Sequence, residues 1–321
     1  MLKVGVPAWL DVDLLAMFPR DVEVERIESR PEREIEIEFW VSPTSPKEFS
    51  QVFPHLQGVR VVQAISAGVD WLRKAVPAEL TLCDGQGMHN IQTAEWTVTA
   101  ILSALKNFPY FHDVQRDGDW QRSRQADAIY RQLHRGEKLS PSKVLQEELY
   151  GKRVMIVGYG SIGRSIEERL LAFGVEIVRV ARRAHEGVES VDRLLELLPD
   201  ADVVVLIVPL TEETTGMIGA KELARMKQGA LLVNAARGPV VQTEALLEAL
   251  ESWRIRAAVD VTDPEPLPKD HPLWSAPNLL ITPHIAGSSP RSMERAVAFV
   301  AEQVKRYQQG EELKNVVTGS Y

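Results

Sequence analysis

The sequence predicts an α/β protein built on doubly wound parallel sheets, in about two domains. Three observations carry that reading. Apolar runs of strand length alternate with helix-like patterns along most of the 321 residues. In the second half the runs are continuous, as at Val154–Val157 and Val203–Val208, which is how strands buried on both faces read. The stretch Lys152–Gly163, KRVMIVGYGSIG, brings such a strand into Gly158, Gly160 and Gly163 at G-x-G-x-x-G spacing. A helical pattern follows, with Ile162, Ile166 and Leu170 on one face and Gly174 as its stop.

Composition bounds the rest. The chain is 45% hydrophobic and 26% charged, ample for buried cores and ordinary for a globular protein. A net charge of −8 argues against general affinity for nucleic acid or an anionic membrane, and obliges any anionic ligand to find local positive charge. One cysteine, Cys83, excludes an internal disulfide framework and a cysteine zinc cluster, and suits a reducing cytosol. No apolar run approaches the roughly 18 residues of a membrane span, so a cytoplasmic protein is expected.

In the first hundred residues, strands are expected at Lys3–Val6, Val22–Ile27, Ile35–Val41 and Val59–Ala64. Ile35, Ile37, Phe39 and Val41 alternate with Glu36 and Glu38, as in a strand with one wet face. Helical patterns fit near Val12–Phe18 and Pro46–Phe53. The fourth strand ends in Ser66-Ala67-Gly68, a small-residue loop whose bare N–H groups suit an anion, though an ordinary strand-to-helix turn reads the same way. A long helix is expected over Thr93–Asn107, stopping before Pro109 as a connector between domains. Trp120–Lys143 is polar and irregular, with Arg122, Arg124, Arg131, Arg135, Lys138 and Lys143; it reads as a solvated loop or a subunit-contact arm. Beyond the glycines, strands are expected at Glu176–Val180, Val203–Val208, Ala230–Asn234, Ala257–Val261 and Leu279–Thr282. Helices near Val191–Leu198, Ala220–Met226 and Thr243–Ser252 fall between them.

Each glycine of the motif has a physical job. Gly158 permits the tight turn, Gly160 lets the backbone approach a pyrophosphate, and Gly163 lets helix and strand pack closely. Free N–H groups over Ser161 and Ile162, at the helix start, then face phosphate charge. Such a loop is a weak signal alone and a good one between a strand and an amphipathic helix. An acidic residue normally closes the next strand and binds the ribose; here the chain reads Val180-Ala181-Arg182-Arg183. Adjacent arginines suit a 2′-phosphate, so NADP(H) is the expected cofactor, with NAD(H) possible if they are surface residues only.

Ligands of a doubly wound sheet sit outside the carboxyl ends of its strands, so those ends repay reading one at a time. They are Val208-Pro209, Asn234-Ala235-Ala236-Arg237-Gly238, Asp260 running on to Glu265-Pro266, and Pro283-His284-Ile285-Ala286-Gly287. An arginine, carboxylates and a histidine thus fall on consecutive strand ends.

With these motifs in place, the chain resembles the D-isomer-specific 2-hydroxyacid dehydrogenases, a family that includes glyoxylate/hydroxypyruvate reductases and phosphoglycerate dehydrogenases. The resemblance covers nearly the whole chain, including Ser66-Ala67-Gly68, Thr93-Ala94-Glu95, the glycine motif and the last three strand ends. It implies two Rossmann-like domains with a cleft between them: a discontinuous substrate domain of residues 1–97 and 288–321, and a dinucleotide domain of residues 98–287 carrying a dimerisation arm near 120–143. It implies a catalytic set of Arg237, Glu265 and His284, and a homodimer. Ala181 departs from the family's usual acid.

Reducing a 2-oxo acid needs a carboxylate anchor, a proton for the carbonyl oxygen and a hydride over the carbonyl carbon. Arg237 offers a permanently charged planar fork, and the bare N–H groups of Ala67 and Gly68 suit the other carboxylate oxygen. His284 is the natural proton donor, oriented by Glu265, with Asp263 its rival by proximity. Asp260 is expected to accept a hydrogen bond from the nicotinamide carboxamide. The expected cofactor contacts are then Gly158, Gly160, Ser161, Ile162, Gly163, Arg182, Arg183, Val208, Pro209, Ala235, Ala236, Arg237, Asp260, His284, Ala286 and Gly287. The substrate contacts are Ser66, Ala67, Gly68, Arg237 and His284, with Trp71, Met88, His89 and Trp274 as candidates for the substrate's tail. His55, His89, His112, His134, His185 and His271 have no acid paired with them in the pattern, and no metal-ligand spacing occurs. Two other readings stay open: a dinucleotide-sensing corepressor that binds rather than turns over, and a relative that oxidises another small acid, formate or phosphite.

Overall fold

The computed structural model describes residues 1–135 and 146–318. Lys138 and Lys143 lie outside them. The chain divides into two compact units, Met1–Asn90 with Gly287–Tyr321, and Ile91–Ala286.

The first unit is built on seven short strands: β1 (Leu2–Pro7), β2 (Val22–Ile27), β3 (Ile35–Glu36), β4 (Phe39–Val41), β5 (Leu56–Gln57), β6 (Val61–Gln63) and β7 (Thr81–Cys83). Five form a sheet of order β2-β1-β4-β6-β7, and β3 pairs with β5 alone. Every pairing is parallel. The expected strand Ile35–Val41 is therefore two strands in two sheets. Its alternation is real, since Ile35, Ile37 and Phe39 are buried and Glu36 is exposed. Ile37 N–H still donates to Gln57 on the β5 side (3.0 Å), whereas Glu38 N–H donates to Lys3 on the β1 side (3.0 Å). The chain changes partner there while keeping its face, and periodicity sees faces only.

The helix Ser292–Gln308 buries Ala296, Val297, Val300 and Val304 against Val4, Val6, Phe39 and Val61. That spacing makes one apolar stripe. Burying each Val is worth roughly 1.5–3 kcal/mol, so this stripe fixes the C-terminal segment to the N-terminal sheet. A buried amide pair adds specificity: Gln303 Nε2 donates to Gln63 Oε1 (3.1 Å) and to Lys314 O (2.8 Å). Cys83 is fully buried in this core; burial, with Asp84 adding its charge, pushes the thiol up to about 12.

The second unit holds β8 (Arg153–Val157), β9 (Glu176–Ala181), β10 (Glu189–Ser190), β11 (Val203–Leu206), β12 (Leu231–Asn234), β13 (Arg256–Val259) and β14 (Leu279–Ile281). Their order is β10-β9-β8-β11-β12-β13-β14, all parallel. The order reverses between β8 and β11, which defines the switch point of a doubly wound sheet. One face packs Met155, Val157, Val204 and Leu232 under Leu223, Leu246 and Leu250; the other packs Val154, Ile156 and Val205 under Ile101, Leu105, Ile166 and Leu170. Neighbouring side chains on one strand serve opposite cores, which is why these strands read as unbroken apolar runs.

The segment expected to be irregular from Trp120 is helical in its described part. A 3₁₀ turn, Trp120–Gln125, is capped by Asp119, whose carboxylate accepts from Gln121 N–H (3.0 Å), and a helix Ala126–Leu133 follows. Ala126, Ile129, Tyr130 and Leu133 fall at i, i+3, i+4 and i+7, one apolar face with Ala126 and Leu133 fully buried, so the helix is written in the sequence and the flanking charges mask it.

Candidate active site

The strand register places the chemistry. Val157 pairs with Leu206, Leu206 with Asn234, Asn234 with Val259, and Val259 with Ile281. With strands about 4.8 Å apart, the residues that follow form one row along the carboxyl edge of the sheet. Gly158, Ile207, Ala235, Asp260 and Thr282 stand in that row, with Val208-Pro209, Ala236-Arg237, Glu265 and His284-Ile285-Ala286 just beyond.

At the glycine loop each position is explained by what a side chain would meet. Gly158 has φ +103°, and a Cβ there would lie 2.6 Å from the Ile207 carbonyl. A Cβ on Gly163 would press Gly158 O at 3.1 Å and Ile156 at 3.2 Å. A Cβ on Gly160 would meet only Gly158 O, at 3.9 Å, so the fold itself leaves that position open. Gly160 is also the N-cap of the helix Ser161–Leu170, which has no side-chain cap and no acid in its first turn. An open approach to uncapped N–H groups fits a dinucleotide pyrophosphate.

Tyr159, between the first two glycines, is tied down. Its hydroxyl donates to Glu167 on the following helix, and Arg179 on β9 donates to the same carboxylate (Nε to Oε2, 2.9 Å). The hydrogen bond from Arg179 holds Glu167 below the usual carboxylate range, and burial, with Glu167 beside it, pushes the Tyr159 phenol up. Arg179 is thereby committed to Glu167. Arg182 and Arg183, beyond the end of β9, are exposed. Glu213, in the loop after β11, is held below its usual range by the Thr211 hydroxyl and its own backbone, with Arg182 adding positive charge.

The β12 end is shaped by Asn234. Its Oδ1 accepts from Ala236 N–H (3.0 Å) and its Nδ2 donates to Arg237 O (3.0 Å), closing a turn that presents Arg237 in extended backbone. Gly238 must follow. A Cβ there would sit 1.9 Å from Thr262 O, so the loop carrying Arg237 lies directly on the loop that leads to Glu265. That second loop is held by Thr262, whose hydroxyl donates to Pro264 O (2.8 Å), and by Thr243, whose hydroxyl donates to Asp263 O (2.7 Å).

His284 carries the clearest chemistry. Its Nδ1 lies 2.6 Å from Glu265 Oε1, and the two side chains are 48% and 41% exposed, within reach of a small molecule. Glu265, not Asp263, makes the pair. His284 has φ +54°, a left-handed conformation that a non-glycine residue adopts at a cost. Asp260 holds it there. The Asp260 carbonyl accepts from His284 N–H (2.7 Å), while its buried carboxylate accepts from Ile285 N–H (2.8 Å), Ala286 N–H (2.8 Å) and the Thr282 hydroxyl (2.6 Å). Asn234, Thr262, Thr282 and Trp96, whose indole donates to the Thr282 hydroxyl (3.0 Å), belong to this site and were not singled out by sequence reasoning. Asn234 opens one of the quoted motifs, Thr282 stands just before another, and Trp96 directly follows Thr93-Ala94-Glu95, but nothing in these motifs marks their hydrogen bonds.

The other sequence candidates lie in the first unit or away from this edge. In the Ser66-Ala67-Gly68 loop, the Ser66 hydroxyl donates to Gly68 O (3.0 Å) and its carbonyl accepts from Gly85 N–H (2.8 Å). Gly287 lies against His89, whose Nδ1 and Nε2 face Gly287 O (3.3 Å) and Ile65 O (3.0 Å). Met88 is buried core, and Trp71 packs edge-on to Phe49 (5.5 Å). Trp274 is exposed, its indole N–H on Pro268 O (2.8 Å). His134, read as having no paired acid, lies 3.1 Å from Glu147, a residue 13 positions away that no local pattern marks. Among the described residues, no group of His, Cys, Asp and Glu is arranged to hold a metal ion, and no helix is long and apolar enough to cross a membrane.

A glycine loop at the switch point of a doubly wound sheet, beside a histidine–carboxylate pair on the same edge, defines a dinucleotide-dependent oxidoreductase. Residues 98–286 match the family model "D-isomer specific 2-hydroxyacid dehydrogenase, NAD binding domain", and the chain belongs to that family. It is 31% identical over 302 residues to a glyoxylate reductase of Thermococcus gammatolerans, covering 92% of this chain and 84% of the relative. It is 31% identical over 331 aligned positions to the D-3-phosphoglycerate dehydrogenase of Methanocaldococcus jannaschii, covering 99% of this chain but 59% of that longer protein. Among solved structures, an NADPH-dependent glyoxylate/hydroxypyruvate reductase from Sinorhizobium meliloti, in complex with NADP and sulfate, superposes with a TM-score of 0.78 at 26% identity, covering 99% of this chain and 98% of that one.

Proposed function

We propose that this protein reduces a small 2-oxo acid, of the size of glyoxylate or hydroxypyruvate, to the D-2-hydroxy acid, with NADP(H) preferred over NAD(H). The observation that carries the reading is the 2.6 Å His284–Glu265 pair on the edge that also bears the glycine loop. The pair favours turnover over a role that only senses a dinucleotide. Gly158, Gly160, Ser161, Ile162 and Gly163 receive the pyrophosphate. Val208, Pro209, Ala235, Ala236, Ala286 and Gly287 are the further cofactor contacts, and Asp260 takes the carboxamide. The dinucleotide supplies the hydride to the carbonyl carbon.

The chain's residues do the rest. Arg237 anchors the substrate carboxylate through its fork, and Ser66, Ala67 and Gly68 are substrate contacts in their own unit. With Nδ1 engaged by Glu265, Nε2 is the imidazole nitrogen left to donate a proton to the carbonyl oxygen as the carbon is reduced. Glu265, 2.6 Å from Nδ1, fixes the ring. Arg182 and Arg183 take the 2′-phosphate; Arg179, already bound to Glu167, does not. A cytosolic homodimer is part of the proposal.

The test is loss of NADPH absorbance, and separately of NADH, with glyoxylate, hydroxypyruvate, pyruvate and larger 2-oxo acids, beside a His284→Ala control. The expected result is NADPH-dependent turnover that disappears in the control. Tight NADPH binding without turnover of any 2-oxo acid would overturn the reading.

A further inference from the structure

Proton donation requires His284 to stand in one place, yet its own backbone resists the conformation that puts it there. The left-handed φ of +54° is disfavoured for a residue with a Cβ. Such a conformation persists where surrounding contacts over-determine it. Here they converge on Asp260, which takes His284 N–H on its carbonyl and three donors from the same loop on its carboxylate.

One of those donors is a side chain with a supporter of its own. The Thr282 hydroxyl has a single proton and, 2.6 Å from Asp260 Oδ1, gives it to the carboxylate, which accepts only. The indole of Trp96, from the helix Asn90–Leu105, donates to the same hydroxyl oxygen at 3.0 Å. Indole can only donate, so it forbids the hydroxyl from turning its proton toward the helix. The chain of donors therefore has one direction, Trp96 to Thr282 to Asp260, and each bond strengthens the next.

We infer that Trp96 and Thr282 are positioning residues: they set the orientation of Asp260 and through it hold the left-handed backbone that presents His284. The inference rests on the proposed reaction for its kinetic consequence but not for its geometry. Neither residue touches the reacting atoms. Their effect reaches the chemistry through placement, where an error of about 1 Å costs on the order of 100-fold in rate.

The variants are Thr282→Val, which keeps shape and removes the hydroxyl, Thr282→Ser, which restores it, and Trp96→Phe, which removes the indole donor. For Thr282→Val the expected kcat for 2-oxo acid reduction is about 10- to 100-fold below wild type, with KM for the acid within about threefold. Thr282→Ser should recover to within about threefold of wild type, and Trp96→Phe should fall between. A second readout needs no turnover. Protein labelled with 15N-histidine gives backbone amide signals from seven histidines, that of His284 being identified by its loss in His284→Gln. In Thr282→Val the His284 amide should shift while the other six hold. An unmoved His284 amide, or Thr282→Ser as impaired as Thr282→Val at equal melting temperature, would overturn the inference. A moved amide in Thr282→Val, alongside a wild-type protein that reduces no 2-oxo acid, would uphold the relay and sink the proposed reaction instead.

Discussion

His284 Nδ1 and Glu265 Oε1 are 2.6 Å apart, although 19 residues of chain separate them and each hangs from the end of a different strand. The pair is half-exposed, so it is built for access and not for stability. If Nε2 gives the proton, His284→Ala should lower kcat by roughly 100- to 10,000-fold, the range of a general acid. Glu265→Gln should lower it at least about tenfold, because the amide can orient the ring but cannot stabilise its charge. Steady-state rates of both variants beside wild type check this, and a His284→Ala protein with wild-type kcat would remove His284 from the mechanism.

Much of this edge is legible in the sequence because the row is covalent: each motif follows directly on an apolar run, and parallel register aligns the runs. Gly158, Arg237 and His284 can be placed that way. The long-range contacts behind it are not legible. Trp96 and Thr282, at this edge, are 186 residues apart, Glu147 and Arg256, at the opposite edge of the sheet, are 109 apart, and no local pattern marks either pair. Ile35–Val41 shows the same limit from the other side. Its alternation reports which residues are buried, but its change of sheet at Ile37–Glu38 depends on β1 and β5, which the segment does not contain.

Arg182 and Arg183 decide the cofactor if the proposal holds. A charge-assisted hydrogen bond contributes roughly 1.5–3 kcal/mol. Replacing both arginines by Ala should therefore lower kcat/KM for NADPH by at least about tenfold, and that for NADH by much less. Ala181→Asp should push preference further toward NADH, since a carboxylate there repels a 2′-phosphate and accepts from a ribose hydroxyl. Equal losses with both cofactors would mean that the arginines act on the fold and not on the phosphate.

Glu147 governs acid stability. It is buried with Arg256, and Lys152 Nζ (2.6 Å) and His134 Nε2 (3.1 Å) face the same carboxylate. Burial alone would push this carboxyl up, but the His134 hydrogen bond and the charges of Arg256 and Lys152 outweigh it, holding the group well below the usual range. A carboxyl depressed in the folded state stabilises the fold above its unfolded pKa, and that contribution is lost as pH falls through the folded value. Acid unfolding should begin below the ordinary carboxylate range. Glu147→Gln should cost about 3–5 kcal/mol near pH 7, because it strands Arg256, and should flatten melting temperature against pH on the acid side. Parallel melting curves for wild type and variant from pH 7 to 3 would contradict this.

Gly158 and Gly160 are two residues apart, yet substitution should separate folding from binding. Gly158→Ala forces a Cβ to 2.6 Å from the Ile207 carbonyl at φ +103°, a contact that backbone on both sides cannot relieve. The cost should be at least about 1–3 kcal/mol, visible as a lowered melting temperature without any ligand. Gly160→Ala meets only Gly158 O at 3.9 Å, and φ at this position is −101°, so the empty protein should melt within a few degrees of wild type. The added methyl would stand where a pyrophosphate must approach the first turn of the helix, and the Kd for NADPH, read by fluorescence titration, should rise at least about tenfold. A Gly160→Ala protein that binds NADPH normally would show that the dinucleotide does not enter over this loop.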